Sequence, residues 1–235
     1  MDIRRPKAPH TWGELLSEIG VIVIGIAIAL SGEQAISALH WRHKVWRAET
    51  NMRQQLNDDL AYAFELRRMA PCARRYYDLM EAAVLRNDWR QMKRLYALGP
   101  PFDLHPWQVT AWEAAVSGQV PDQLDADRLA AYGLAFHFVA TERDLQLAIN
   151  QYFAAAMTAR FPLSADAKVT HEQLVAIARM KADQDKAIAI SARLLTEFGP
   201  SLGVAPDSSL SAKYRLRARA CEAGLNGLPS PSQGS

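Results

Sequence analysis

The chain has 235 residues, of which 49% are hydrophobic and 22% charged, and its formal net charge is +2. That charge is too small, and the basic residues are too evenly mixed with acidic ones, to favour a nucleic-acid-binding protein. Alanine is abundant and no stretch alternates apolar and polar residues as a strand would, so the composition predicts an all-α protein.

The N-terminus contains the one long apolar segment. Residues 1–11 include two prolines and are predicted to form a short cytoplasmic tail. Residues 19–30 carry no charge, but about 12 residues are fewer than the roughly 20 that cross a bilayer. Apolar neighbours on both sides extend the segment to about 25 residues. We therefore predict a membrane-spanning helix over residues 12–41.

Tryptophans flank this segment on both sides. Trp12 and Trp41 are separated by a helix of roughly 43 Å, the thickness of a bilayer with its headgroups. Tryptophan is favoured at membrane interfaces, so Trp12, Trp41 and Trp46 are predicted interface anchors.

Two other interpretations of the segment remain. Ala27 and Ala29 could form the cleavage site of a secretory signal, although Glu14 and Glu18 make the preceding region acidic where a signal peptide is basic. A soluble or interfacial helix is disfavoured because residues 19–30 are hydrophobic on nearly all sides. An uncleaved signal anchor is the preferred interpretation.

The membrane segment contains small residues and acidic residues that predict contacts with another membrane helix. Gly25, Ala29 and Gly32 fall on one face, where small side chains let another helix approach closely, so this stripe is predicted to pack against a second membrane helix. Glu18 and Glu33 are about 22 Å apart along the axis. They either lie at the two interfaces or pair with a cation on another membrane helix.

The rest of the chain is predicted to form a helical domain over residues 42–224, followed by a disordered tail over residues 225–235. The membrane helix is expected to continue as a stalk to about Met69, because neither glycine nor proline interrupts it. One face of that stalk should be buried and carries Val45, Met52, Leu56, Leu60 and Phe64. Short loops between the later helices predict an antiparallel bundle.

Helix boundaries follow from capping residues, glycines and prolines. A second helix is expected to start at Pro71 and to break at Asn87-Asp88, before a helix that Gly99 ends. Asp122 or Asp125 is predicted to cap a long helix that Pro162 halts. Thr170 and Gln173 fit a capping box for a helix that Gly199-Pro200 closes, and Ser208 or Ser209 should cap a last helix that ends at Gly224.

The two cysteines, Cys72 and Cys221, form a candidate disulfide. A bridge would tie the last helix to the stalk and would indicate an oxidising compartment. Two unrelated core thiols are the alternative. The balance of basic residues around the membrane helix does not decide its orientation. The cysteines therefore favour an extracytoplasmic location for the domain, which is the periplasm in a bacterium.

The residue patterns predict no catalytic, metal or cofactor site. His171-Glu172 begins like a zinc-protease helix, but Val175 stands where the second histidine ligand is needed. His40 and His43 have no evident third ligand. Four aromatic residues could line a ligand pocket or simply belong to the core; they are Trp107, Trp112, Tyr132 and Tyr152.

Several segments together resemble a group of proteobacterial single-pass inner-membrane proteins that carries no assigned biochemistry. The segments include Trp12, Glu18, the apolar run 25–30, Glu33-Gln34, Trp41-Arg42, Pro71-Cys72 and Trp112-Glu113-Ala114-Ala115. The resemblance implies a bacterial inner-membrane setting.

Two functions are compatible with these features. The first is a non-enzymatic, membrane-anchored accessory or assembly subunit that docks onto other membrane proteins or onto a second copy of itself. The second is an extracytoplasmic sensor or carrier domain that binds a small apolar ligand. We expect the first.

Overall fold

The structure, a computed structural model, describes residues 12–101, 105–158 and 171–226, and this part of the chain is helical and contains no strand. The all-α prediction is confirmed. The helices are α1 (Trp12–Leu85), α2 (Trp89–Leu98), α3 (Thr110–Ser117), α4 (Ala126–Thr158), α5 (His171–Arg193), α6 (Gly199–Leu202) and α7 (Ser208–Asn226), with a 3₁₀ turn at Pro121–Gln123 and a π-helical turn at Leu194–Phe198.

The chain divides into two compact units, Met1–Arg47 and Ala48–Ser235. The first unit contains the apolar part of α1, which is long and apolar enough to cross a membrane; none of its most apolar stretch is buried. The predicted long apolar N-terminal helix is therefore confirmed. The predicted tail over residues 1–11 lies outside the described residues.

The prediction that a new helix begins at Pro71 is wrong. Helix α1 continues through Pro71 to Leu85. Proline removes one backbone hydrogen bond from a helix and crowds the preceding turn. Its neighbours Ala70, Cys72 and Ala73 are buried, so the packing of this part of α1 outweighs the local cost.

The predicted buried face of α1 is correct in its centre and wrong at one end. Met52, Leu56 and Leu60 are buried, with exposed fractions of 3% or less. Val45 is only partly buried. Phe64 is 39% exposed, and the guanidinium of Arg68 lies 6.0 Å from its ring centroid. A four-residue spacing drifts around a 3.6-residue helix, which turns Phe64 away from the core.

Three predicted helix boundaries are confirmed. Asn87 adopts a positive φ of 52°, and the side chain of Asp88 accepts a hydrogen bond from the backbone N–H of Gln91 at the start of α2. Gly99, with φ of 74°, ends that helix. Asp125 caps α4, since its carboxylate accepts a hydrogen bond from the backbone N–H of Arg128 at 2.9 Å.

The expected helix end at Gly199-Pro200 is wrong. The π-helical turn leads directly into α6, and the chain turns only at Gly203, where φ is 64°. Pro200 is compatible with this position because a first helical turn needs no N–H from it. A Cβ on Gly199 would lie 3.2 Å from Leu60 Cδ1 and 3.1 Å from the Val204 carbonyl oxygen, so the glycine permits close packing.

The last helix also departs from the prediction. Asp207, rather than Ser208 or Ser209, caps α7 by accepting a hydrogen bond from the Ser209 N–H at 2.8 Å. The helix passes through Gly224 and ends at Asn226. The remainder of the predicted disordered tail, residues 227–235, lies outside the described residues, as do Pro162 and Thr170.

The second unit has an extensive hydrophobic core. Helices α4 and α5 pack against each other. A core cluster combines buried residues of α1, α2, α4, α5 and α7, among them Tyr76, Met80, Leu95, Met180 and Leu225. Gln173, predicted to belong to a capping box, is buried there and donates to the Ala156 carbonyl oxygen at 3.4 Å.

Candidate functional site

The small-residue stripe of the first unit is open on the surface of α1. Gly25, Ala29 and Gly32 are all exposed. A Cβ built on Gly25 or Gly32 would meet no other atom within 4 Å. The stripe can therefore accept a neighbouring helix without a change in this chain, and its pairing stays a prediction.

The predicted interface residues are also exposed. Glu18 and Glu33 point away from the protein, and no described residue of this chain forms an ion pair with either carboxylate. Trp12 and Trp46 are 82% and 62% exposed. Trp41 is partly covered by Lys44, whose Nζ lies 4.5 Å from the indole ring centroid.

The cysteines lie together in the second unit. Cys72 on α1 and Cys221 on α7 are at disulfide-bonding distance, with their Cα atoms 6.3 Å apart. The same two helices are joined by Arg75, which donates to the Asn226 side chain at 3.2 Å and to the Leu225 carbonyl oxygen at 3.4 Å. The sequence prediction that these cysteines meet is confirmed.

A buried carboxylate and histidine form a polar pair at the edge of the core. His105 Nε2 lies 2.9 Å from Asp59 Oδ1, and both side chains are less than 10% exposed. The imidazole stacks on Tyr62 with centroids 4.4 Å apart, and Trp107 packs edge-on against it at 4.9 Å. Burial raises the pKa of Asp59 to about 6, although the hydrogen bond and charge of His105 act in the opposite direction.

A small internal cavity of about 30 Å³ lies between α1, α4, α5 and the segment before α3. Its volume corresponds to room for one or two water molecules. The residues that line it are Tyr62, Leu66, Tyr77, Pro100, Trp107, Glu142, Gln146, Ile149, Asn150, Gln184 and Ala187. The lining therefore combines aromatic rings with hydrogen-bonding side chains.

Glu142 is the acid that lines the cavity, and its pKa is strongly raised. It is 1% exposed, and its Oε1 accepts a hydrogen bond from Ser191 Oγ at 2.7 Å. Burial raises its pKa to about 8, against the opposing effect of the Ser191 hydrogen bonds. The carboxyl is consequently mostly protonated near pH 7.

Two amide groups beside Glu142 lack hydrogen-bond partners. The Nε2 atom of Gln184 and the Nδ2 atom of Asn150 are buried without a partner. Buried polar groups in native proteins are normally satisfied by protein, water or ligand. The cavity therefore has unused hydrogen-bonding capacity next to an acid.

The four aromatic residues singled out in the sequence do not share one pocket. Only Trp107 lines the cavity. Trp112 stacks on Phe136 at 5.9 Å, and the hydroxyl of Tyr132 accepts a hydrogen bond from Arg53 at 3.1 Å. Tyr152 lies 5.6 Å below the guanidinium of Arg179. Trp112, Tyr132 and Tyr152 therefore fit the interpretation that they belong to the core and do not line a ligand pocket.

Sequence reasoning missed the acid and the amides of the cavity. Glu142 lies three residues after Val139 and seven before Ile149, and shares with Gln146 a helix face that also carries these buried apolar residues. Gln184 occupies the equivalent place on α5, four residues after Met180 and three before Ala187. A polar residue on the apolar face of a helix was the available signal.

The groups around the cavity offer hydrogen bonding and proton binding in a small, partly enclosed space, and the other unit offers an open apolar helix surface. The function of the cavity and of the helix surface is inferred from these distances and exposures. Comparisons with protein-family models, with curated proteins and with solved structures found no match to the chain.

Proposed function

We propose that this protein is a non-enzymatic, membrane-anchored accessory or assembly subunit. The observation that carries the proposal is the exposure of the apolar part of α1. The consecutive residues Val21, Ile22, Val23 and Ile24 are between 57% and 69% exposed. These residues occupy different sides of the helix, so no single contact with a protein core could cover them. A bilayer would cover them all.

In this proposal residues 12–41 cross the inner membrane of a bacterium, with the N-terminus in the cytoplasm and the helical domain in the periplasm. The meeting of Cys72 and Cys221 supports the periplasmic side, because disulfides form and persist in oxidising compartments. The helices of the domain are proposed to form an antiparallel bundle, which the packing of α4 on α5 supports.

The proposed partners are the lipid bilayer and other membrane proteins, or a second copy of this chain. In lipid, apolar contact alone does little to associate helices, whereas small residues let their backbones approach. Gly25, Ala29 and Gly32 supply such a surface, and a Cβ added at either glycine would meet no atom within 4 Å. Glu18 or Glu33 could add an ion pair with a cation of the partner.

The alternative, a domain that carries a small apolar ligand, has less support. Pockets for drug-sized ligands usually measure about 300–1,000 Å³. The internal cavity measures about 30 Å³ and contains an acid and amide groups. It suits a smaller and more polar molecule.

Topology provides the first test. Alkaline phosphatase fused after the last residue should be active in bacteria, because the enzyme needs an oxidising compartment, and a green fluorescent protein fused there should be dark. The opposite pair of results would place the domain in the cytoplasm and remove the periplasmic part of the proposal.

Association provides the second test. The tagged chain should be extracted in mild detergent and purified under native conditions, with a chain that lacks residues 1–41 as the control. Stoichiometric co-purification of a membrane protein, or of an untagged second copy, is expected for the full chain alone. A full-length protein that is strictly monomeric and has no partner would contradict the accessory role.

A further inference from the structure

The internal cavity holds an acid that has no cation beside it. The pKa of Glu142 is raised by burial and lowered by hydrogen bonds from Ser191, and no positively charged group contributes to the shift. A buried carboxylate is costly unless a cation pairs with it. The charged form of Glu142 would therefore be strongly stabilised by any cation small enough to enter.

The neighbouring amides can supply oxygen atoms to such a cation. Gln184 is 2% exposed, and the nitrogen atoms of Gln184 and Asn150 have no partner. Because no hydrogen bond fixes either nitrogen, each amide can turn its oxygen or its nitrogen towards the cavity. Glu142 and the two amides then offer three acceptors, enough for all three N–H groups of a primary alkylammonium ion or for three of the four N–H groups of ammonium.

The aromatic residues that line the cavity also suit a cation. Tyr62, Tyr77 and Trp107 line it, and aromatic rings attract ammonium groups through their electron-rich faces. The volume of about 30 Å³ limits the ligand to a few non-hydrogen atoms.

We infer that this cavity binds a small ammonium-type cation, either ammonium itself or a short primary alkylammonium, through the carboxylate of Glu142 and the side-chain oxygens of Asn150 and Gln184. This inference is independent of the proposed membrane role, because every residue involved belongs to the second unit. A small carboxylate would instead bind when Glu142 is protonated. Water could bind with Glu142 in either protonation state.

The pH dependence separates these occupants. The other titratable groups that line the cavity are the phenols of Tyr62 and Tyr77, both from α1, and burial raises the pKa of Tyr77. From α5 the cavity receives the neutral groups of Gln184 and Ala187, and Ser191 donates to Glu142. With a Glu142 pKa of about 8, ammonium affinity should rise about 50-fold between pH 6 and pH 8, whereas carboxylate affinity should fall.

The experiment uses the full chain in detergent and a sodium buffer at constant ionic strength. Ammonium chloride and methylammonium chloride are titrated against sodium chloride, and the melting temperature and Trp fluorescence are recorded. A saturating response is expected, with a rise of about 5–10 °C at 100 times the dissociation constant. The affinity should increase from pH 6 to pH 8.

Variants identify the site. Glu142→Gln keeps the shape and the Ser191 hydrogen bond but removes the charge, and it should weaken binding by about 30-fold or more. Glu172→Gln, an exposed change on α5, is the matched control and should bind as the wild type does. If Glu142→Gln does not fold, Asn150→Leu, which removes one acceptor and fills space, should also abolish the response.

Three outcomes would overturn the inference. They are the absence of a specific ammonium response, an undiminished response in a folded Glu142→Gln variant, and a stronger response to acetate that grows as the pH falls. The first would leave the cavity to water alone, and the third would assign it to small carboxylates. None of these outcomes affects membrane insertion or partner association.

Discussion

At the scale of single residues, Glu142 shows how burial sets the protonation of an acid. Its pKa is raised from 4.5 to about 8 in the folded protein. The folded state therefore holds the proton more tightly than the unfolded chain, so this residue makes the protein less stable as the pH rises from about 4.5 through 8.

The variant Glu142→Gln should remove this pH dependence. Between pH 5 and pH 9 in sodium buffer, the wild type should lose up to about 4 kcal/mol more of its unfolding free energy than the variant. Chemical denaturation of the detergent-solubilised chain at the two pH values measures the difference. Equal pH slopes for both proteins would show that Glu142 ionises as freely in the folded state as in the unfolded state.

The pair of Asp59 and His105 gives a second prediction at this scale. His105→Ala removes the imidazole that stacks on Tyr62 and leaves the Asp59 carboxyl buried without its partner 2.9 Å away. We expect a loss of about 2–4 kcal/mol in unfolding free energy. His137→Ala is the control, since His137 is exposed. Denaturant titration should show a loss for the control of less than about 0.5 kcal/mol.

At the scale of the helices, Pro71 is a local weakness that packing overcomes. Pro71→Ala restores a backbone N–H that can donate to the Arg67 carbonyl oxygen, and it removes the steric crowding of the ring. Pro71 is exposed, so no core contact is lost. We expect a gain of about 1–2 kcal/mol after the greater flexibility of the unfolded chain is subtracted.

Thermal unfolding of Pro71→Ala beside Gln54→Ala measures this gain. Gln54 is also an exposed residue of α1, so its replacement reports the effect of an added alanine without the removal of proline. A Pro71→Ala variant that is no more stable than Gln54→Ala would mean that the helix tolerates this proline without cost.

The connection between α1 and α7 depends on Cys72 and Cys221, which are separated by 149 positions in the sequence. Either Cys→Ser change should cost about 2–5 kcal/mol and lower the melting temperature by several degrees. The double variant should lose no more than each single one, because both remove the same bridge. Non-reducing peptide mapping of protein from its native membrane should recover the two cysteine peptides linked, and free thiols at both positions would contradict the bridge.

The sequence predicts helices well where local signals agree and poorly where packing decides. Asp88, Gly99 and Asp125 act where a cap or a stop was expected, because capping depends on nearby backbone groups. Pro71 and Gly224 mark helix ends by local rules and yet lie inside helices. At both places tertiary packing decides. Ala70, Cys72 and Ala73 beside Pro71 are buried, and a Cβ on Gly224 would lie 3.0 Å from Leu98 Cδ2.

The same reason explains why the cysteines were found and the cavity was not. Two cysteines in a chain can pair in only one way, so the pairing of Cys72 with Cys221 could be predicted without knowledge of the fold. Glu142, Asn150 and Gln184 come from two helices, and only tertiary packing brings them to one space. A polar residue on the apolar face of a helix indicates a buried polar position, but the sequence does not show which residues of other helices lie beside it.

At the scale of the whole molecule, the two units differ in what covers their apolar residues. In the second unit, Tyr76, Leu79 and Met80 are 1% exposed or less because other helices cover them. In the first unit, Val21 and Ile28 are 69% and 68% exposed. An apolar surface of this extent is stable only in lipid or against another protein. The first unit is therefore where a membrane or a partner must be sought.

The stripe on the first unit distinguishes lipid from a partner helix. Gly25→Leu combined with Ala29→Leu keeps the segment apolar, so insertion should be unchanged. A Cβ added at Gly25 would meet no atom of this chain within 4 Å, and Ala29 is exposed, so the folded protein itself should not be strained. If the stripe packs against another helix, the new side chains fill the groove and should weaken association by about 1–2 kcal/mol.

Ile22→Leu combined with Ile26→Leu provides the matched control, because it changes two positions of the same segment without filling the stripe. Native gels and sedimentation of wild type, stripe variant and control in one detergent measure association, and protease protection of the domain in membrane vesicles confirms insertion. Loss of the complex in the stripe variant alone would establish the stripe as the partner-binding surface. Equal complexes in all three proteins would show that the stripe faces lipid, and any association would then have to occur through the second unit.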